Sequence, residues 1–146
     1  MVRAGALGSD RAVVGGEVLR RALLELTPEQ IIEEVQRSGL LGRGGAAFPA
    51  GLKWQTVANC DSGEKYVVAN GDEGDPGTYA DRMLMEGDPC ALLEGMAICA
   101  VAVGAHSGFI YVRAEYPRAP QVLQHPVDVA RDARALGAAL LGGGFP

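Results

Sequence analysis

No C-x-x-C pair occurs in this sequence, and its three cysteines, Cys60, Cys90 and Cys99, stand singly. A zinc or iron–sulfur site built from this chain alone is therefore not expected, and no residue is assigned to a metal. An odd count at these spacings does not suggest a disulfide framework either, so the thiols read as reduced. Basic residues are outnumbered, 13 against 18 acidic ones, for a net charge of −5. That argues against a nucleic-acid platform, which carries a basic stripe. It does not exclude an anionic cofactor, because local charge and backbone amides decide that. The longest apolar run, Met96–Val103, is too short to span a bilayer, so direct membrane insertion is not expected. Met1–Asp10 has no apolar core of signal-peptide length. The expected location is cytoplasmic, with membrane association only through partner subunits. The two histidines, His106 and His125, are isolated and read as surface or loop residues. No internal repeat or low-complexity tract is visible.

What is present is a globular composition with an unusual excess of one residue. The chain has 146 residues, 48% of them hydrophobic, and 21 glycines. Length and hydrophobicity suit one domain, or a piece of a larger one. The glycines exceed the usual share of roughly 7%. They suggest loops in which the backbone must approach something closely.

Residues 1–26 read as a lead-in, with Met1–Gly16 only weakly patterned. The clearest helix lies within Leu24–Gly39. Thr27 is a good N-cap, Pro28 takes the first helical position, and Gln30 completes a capping box. Ile31, Ile32 and Val35 share one face, and Gly39 can end the helix in the left-handed conformation. Leu40–Gly51 follows as a glycine-rich loop. Lys65–Asn70 is a short apolar run of β-formers, expected as a buried strand. Gly71–Gly77 is an acidic loop. Asp88 and Pro89 open a core helix, apolar almost all round, that runs to about Val103 and stops at Gly104. Phe109–Arg113 is a second strand. Ala119–Leu136 is helix-like, but Pro126 is expected to kink or split it. The ending, Leu141–Pro146, looks like a loop. This alternation of helices and apolar strands predicts α/β layering with parallel pairing.

Two segments carry the chemistry. Gly42-Arg-Gly-Gly-Ala-Ala47 formally fits G-x-G-x-x-A, but it follows a helix where the dinucleotide fingerprint follows a strand. The physical reading survives: consecutive glycines let backbone N–H groups converge on an anion. Arg43 and Lys53 bracket the loop with positive charge suited to a phosphate. Phe48 and Trp54 offer flat faces for a ring. The bland alternative is a surface loop behind a helix C-cap. The second segment, Asn70-Gly-Asp-Glu-Gly-Asp-Pro-Gly77, sets three carboxylates and an amide at the C-terminal end of a strand, where ligands of open α/β sheets bind. Carboxylates accept from ribityl or ribose hydroxyls, and an amide both donates and accepts. The calcium-loop spacing is missing. A solvated acidic turn is the competing reading.

Together the segments resemble a known family. Ser38-Gly-Leu-Leu-Gly-Arg-Gly-Gly-Ala-Ala-Phe-Pro-Ala-Gly-Leu-Lys-Trp54 resembles the FMN-loop signature of the complex I 51 kDa flavoprotein subunit. That signature recurs in the diaphorase subunits of NAD-reducing hydrogenases and NAD-dependent formate dehydrogenases. Tyr66–Arg82 resembles the family's second signature, and Glu94–Ile98 and Gly108–Tyr116 match further segments. The resemblance runs from about Thr27 to Pro120 and implies a Rossmann-like layered FMN-binding domain, incomplete here, over residues 27–146. It implies hydride transfer from NADH to FMN, then single-electron transfer to iron–sulfur subunits of a hydrogenase, a formate dehydrogenase or complex I. Carried over, Gly42, Arg43, Gly44, Gly45 and Lys53 line the FMN phosphate and ring. Asn70, Asp72 and Glu73 hydrogen-bond the flavin and its ribityl chain. Phe48 packs on a ring of NADH. Asp75 stands near the nicotinamide, where much of the family has Glu, and is the candidate catalytic residue. The family's Gly-Glu-Glu-Thr stretch and its [4Fe–4S] cysteine motif do not occur here. The alternative expectation is therefore a fragment that keeps the fold and flavin binding as a non-catalytic interaction module. A nucleotide-binding transferase would need a nucleophile or metal-ligand set that the sequence does not offer.

Overall fold

The computed structural model describes residues 16–75 and 77–132. They form six helices and two strands: α1 (Glu17–Leu24), α2 (Pro28–Arg37), α3 (Ala50–Ala58), β1 (Tyr66–Gly71), α4 (Ala80–Gly87), α5 (Pro89–Val103), β2 (Ser107–Val112) and α6 (Arg118–Asp132). The weak patterning expected before residue 16, the helix expected beyond Asp132 and the loop-like ending lie outside the described residues.

Local signals set α2 and α5. Thr27 Oγ1 accepts from the Gln30 N–H, and the Gln30 side chain accepts from the Thr27 N–H, with Pro28 inside the cap. Asp88 caps α5 through the Ala91 N–H, with Pro89 at its start. Gly39 and Gly104 end these two helices at φ +68° and +73°.

The helix α5 is the centre of the fold. It packs against every other helix and both strands. Ala102 joins Ala22, Ile31 and Ile32 in one buried cluster, with Trp54 and Ile98 against it. Leu93 meets Ala130 of α6. A third cluster gathers Met85, Tyr116, Ala119 and Leu123. A helix that is apolar on all sides needs such cover, since each square ångström of apolar surface removed from water contributes about 25 cal/mol.

The strands β1 and β2 pair in parallel, in the register Tyr66↔Ser107, Val68↔Phe109 and Asn70↔Tyr111. The α/β layering with parallel strands and flanking helices is thus present. Contrary to expectation, β1 is not buried on both faces. Val67, Ala69 and Gly71 turn inward, while Tyr66, Val68 and Asn70 are exposed, as are Phe109 and Tyr111 on β2. Among the described residues, helices cover one face of this sheet.

Three helices were not foreseen. The segment read as a lead-in contains α1, whose buried Leu19 and Ala22 lie on the side facing α5. Its N-terminus has no side-chain cap of its own. The Leu19 N–H instead donates to Glu94 Oε1 of α5, at 2.9 Å. Immediately after the glycine loop comes α3, and α4 follows the acidic loop. Pro126, expected to kink or split the last helix, is buried inside α6 and does not split it. Its ring lies in the protein, and the helix loses one hydrogen bond there without dividing.

Candidate cofactor-binding site

The glycine loop is a closed hairpin standing on two helix ends. The Gly42 N–H donates to the Phe48 carbonyl at 2.8 Å, and the Ala50 N–H to the Leu40 carbonyl at 2.9 Å. Leu41 and Pro49 form an antiparallel bridge. Between these ties the backbone turns through Gly45 at φ +90° and Ala47 at φ +49°. A left-handed alanine is strained, and such strain collects at binding sites. The N–H groups of Arg43, Gly44, Gly45, Ala46 and Ala47 find no acceptor among the described residues. A Cβ added at Gly42 would stand 3.8 Å from Lys53 Nζ, so the ammonium lies beside the start of the loop. Neither Lys53 nor Arg43 is in an ion pair among the described residues. The unpaired amides, the two cations free of ion pairs and the uncapped start of α3 are donors of the kind that bind an anion. A phosphate monoester fits this donor set.

The aromatics divide. Phe48 is half exposed beside the loop. Trp54 packs on the buried cluster of Ile31 and Ile32, so its ring is largely committed to the core.

The acidic loop leaves the end of β1 with a tight turn. Asn70 Oδ1 accepts from the Asp72 N–H at 3.0 Å. A Cβ at Gly71 would stand 2.8 Å from the Met85 sulfur and 2.9 Å from the Tyr111 carbonyl oxygen. Only glycine lets the strand end this close to α4 and β2. Asn70, Asp72 and Asp75 are exposed. A shallow cleft of about 50 Å³ lies beside Asn70, between Gly71, Asp81, Leu84 and Ile110. Pockets for drug-sized ligands run to roughly 300–1,000 Å³, so a ligand here would rest on an open shelf.

Glu73 differs from its neighbours. It is 7% exposed, the one buried charged side chain among the described residues. Its Oε2 accepts from the Arg82 N–H at 3.2 Å and from the Tyr116 hydroxyl at 3.3 Å. Burial pushes its carboxyl up, but the backbone N–H groups of Arg82, Asp81 and Ala80 and the Tyr116 hydroxyl outweigh that and hold it below the usual range. Asp81 is pushed up by its own burial and by the Glu73 charge. Arg113 donates to the Glu73 carbonyl. The guanidiniums of Arg82 and Arg113 lie over the Tyr116 ring, 5.4 and 5.7 Å from its centre. Sequence reasoning gave Arg82, Arg113 and Tyr116 no role.

Within each loop the sequence-predicted residues come together: Gly42 with Lys53, and Asn70 with Asp72. No hydrogen bond or ion pair joins one loop to the other among the described residues. No helix among them is long and apolar enough to cross a membrane.

A parallel strand pair with flanking helices is the arrangement of an incomplete Rossmann-like α/β domain. The sequence matches the model of the Nuo51 FMN-binding domain over residues 35–146, and the chain belongs to that family. It is 45% identical over 131 residues to a subunit of the NADH-quinone oxidoreductase of Rhizobium meliloti (strain 1021), covering 90% of this chain and 31% of that protein. It is 46% identical over 123 residues to the NADP-reducing hydrogenase subunit HndC of Solidesulfovibrio fructosivorans, covering 84% and 25%. Among solved structures, the NAD⁺-reducing [NiFe]-hydrogenase in its air-oxidised state superposes with a TM-score of 0.66 at 32% identity, over 84% of this chain and 24% of that one. The chain thus spans 24–31% of the length of these relatives.

Proposed function

We propose that this chain forms part of the flavin and NADH site of an NADH-oxidising flavoprotein subunit, a diaphorase. Such a subunit takes a hydride from NADH onto FMN and passes electrons to iron–sulfur clusters of a larger complex. The observation that carries this reading is the run of unpaired amides from Arg43 to Ala47 with the Lys53 ammonium beside Gly42.

In this reading Gly42, Arg43, Gly44, Gly45 and Lys53 hold the FMN phosphate and the adjoining ring edge. Asn70 and Asp72 take hydroxyl or amide hydrogen bonds from the ribityl chain and flavin, and Glu73 belongs to the same loop. Phe48 offers its exposed face to a ring of NADH. Asp75 sets negative charge beside the nicotinamide, where it favours the cationic NAD⁺ over NADH. The bound flavin supplies the redox chemistry; the residues here place it and set its electrostatics. The partners are iron–sulfur electron-transfer subunits of the hydrogenase or NADH-quinone oxidoreductase kind, because the relatives are named subunits of such enzymes.

A second reading rests on the open cleft of about 50 Å³, far smaller than a ligand pocket. Here the chain binds flavin without turnover and acts as an interaction module. Purified chain mixed with FMN separates the two. Bound flavin, seen in the visible spectrum, with NADH:ferricyanide reduction supports the diaphorase. Bound flavin without reduction supports the module. No bound flavin removes the cofactor assignment.

A further inference from the structure

The glycine loop is a hairpin whose two legs are α2 and α3, and one residue touches both legs. We infer that Gln36 is a positioning residue for Lys53: it locks α3 against the end of α2 and so sets the direction in which the ammonium reaches the loop. This rests on the flavin-site reading above.

Gln36 lies in the last turn of α2. Its carbonyl accepts from the Gly39 N–H at 3.1 Å, where the chain turns left-handed at φ +68° and leaves for the loop. Its side chain meets α3. A Cβ at Gly51 would stand 2.5, 2.8 and 3.0 Å from the Gln36 Cγ, nitrogen and Cα, so Gln36 lies directly on the Gly51 backbone. The Gln36 side-chain amide then donates to Gln55 Oε1 at 2.9 Å. One residue thus grips α3 at two points, about one turn apart.

Two points on one face fix the rotation of a helix about its own axis. Residues four apart on an α-helix share a face, and the residue midway between them points roughly 200° away. Gly51 and Gln55 face Gln36, so Lys53 projects from the opposite side of α3. That is the side on which its Nζ comes 3.8 Å from where a Cβ of Gly42 would stand. Trp54 and Ala58 also rest on the cluster of Ile31 and Ile32. Apolar packing of this kind is non-directional. The Gln36–Gln55 bond is the one side-chain hydrogen bond between α2 and α3 among the described residues. Gln36 is uncharged and sits across α3 from the ammonium, so its influence on an anion in the loop passes through Lys53.

The test is a double-mutant cycle in the full chain, reading FMN and riboflavin affinity for Gln36→Ala, Lys53→Ala and the pair. Gln36→Ala is expected to weaken FMN about two- to tenfold and to leave riboflavin unchanged, since riboflavin has no phosphate for Lys53 to meet. In the Lys53→Ala background, Gln36→Ala should cost no further FMN affinity. Gln55→Ala, which keeps the Gly51 contact and loses only the hydrogen bond, should act in the same direction by less. The same cycle run with Gln55→Ala decides the matter if Gln36→Ala does not fold. Equal losses for FMN and riboflavin would mark a purely structural clamp and overturn the inference. So would additive losses in the cycle, or an FMN affinity unchanged in Gln36→Ala. Wild-type chain that takes up no FMN removes the flavin-site reading and the inference with it. FMN uptake by the wild type with an additive cycle removes the inference alone.

Discussion

Gly51 of α3 lies so close to Gln36 of α2 that a Cβ at position 51 would stand 2.5 Å from Gln36 Cγ and 2.8 Å from the Gln36 nitrogen. Two helix backbones meet there, and α3 starts directly at the foot of the glycine loop. Gly51→Ala should destabilise the fold by about 1–3 kcal/mol through overpacking. Because α3 carries Lys53, FMN affinity should fall as well. Thermal unfolding and flavin titration of the same variant check both effects.

Lys53 is expected to act on the phosphate. A hydrogen bond to a charged group contributes about 1.5–3 kcal/mol, so Lys53→Ala should weaken FMN roughly ten- to a hundredfold. Riboflavin, which has no phosphate, should bind both proteins alike. Equal losses for FMN and riboflavin would place Lys53 at the ring instead.

Asp75 is expected to set the balance between the two nicotinamide states. Removing its charge in Asp75→Asn should weaken NAD⁺ and strengthen NADH. Unchanged affinities for both would remove Asp75 from the nicotinamide site.

The thiols should react unequally. Burial pushes the Cys99 thiol up to about 11, and burial followed by the charges of Asp88 and Glu94 raises Cys90. The thiolate is the reactive form. At pH 8, iodoacetamide should label exposed Cys60 well before Cys99. For Cys99 the folded state favours the protonated thiol. Its contribution to stability is present below the ordinary thiol range and is lost as pH rises through about 11. Labelling of Cys60 and Cys99 at equal rates in the folded chain would contradict the burial of α5.

Acid should loosen α4 through Glu73. Its folded-state value is lowered, so its contribution is present above the ordinary carboxylate range and disappears as pH falls through the lowered value. Protection of the Arg82 amide, measured against the intrinsic exchange rate, should fall with pH in the wild type and be low and flat in Glu73→Gln, which lacks the charge.

The parts of this structure that were legible in the sequence are those whose causes lie within a few residues. Thr27, Pro28 and Gln30 announce α2, and Asp88 with Pro89 announces α5. The two helices that escaped notice at their starts, α1 and α4, take their capping oxygens from Glu94 and Glu73, 75 and nine residues distant. No local pattern contains that information. In α3 a glycine sits in the first turn, for contact with Gln36, and so the helix reads as an extension of the loop. The glycine loop itself was readable, because free amides follow from consecutive glycines. The inward turn of Glu73 was not, since a run of carboxylates looks alike in sequence until Tyr116 and α4 select one of them.

Parallel strands normally have cover on both faces, yet Tyr66 and Phe109 meet on the open side of this sheet with ring centres 5.9 Å apart. Each strand also has an edge whose backbone is unpaired among the described residues. Such a pair is a template: its register is already set, and its twist dictates the angle at which the next strand must lie. A strand added to either edge would take its register and its angle from this pair, and a layer laid on the open face would meet the two rings first.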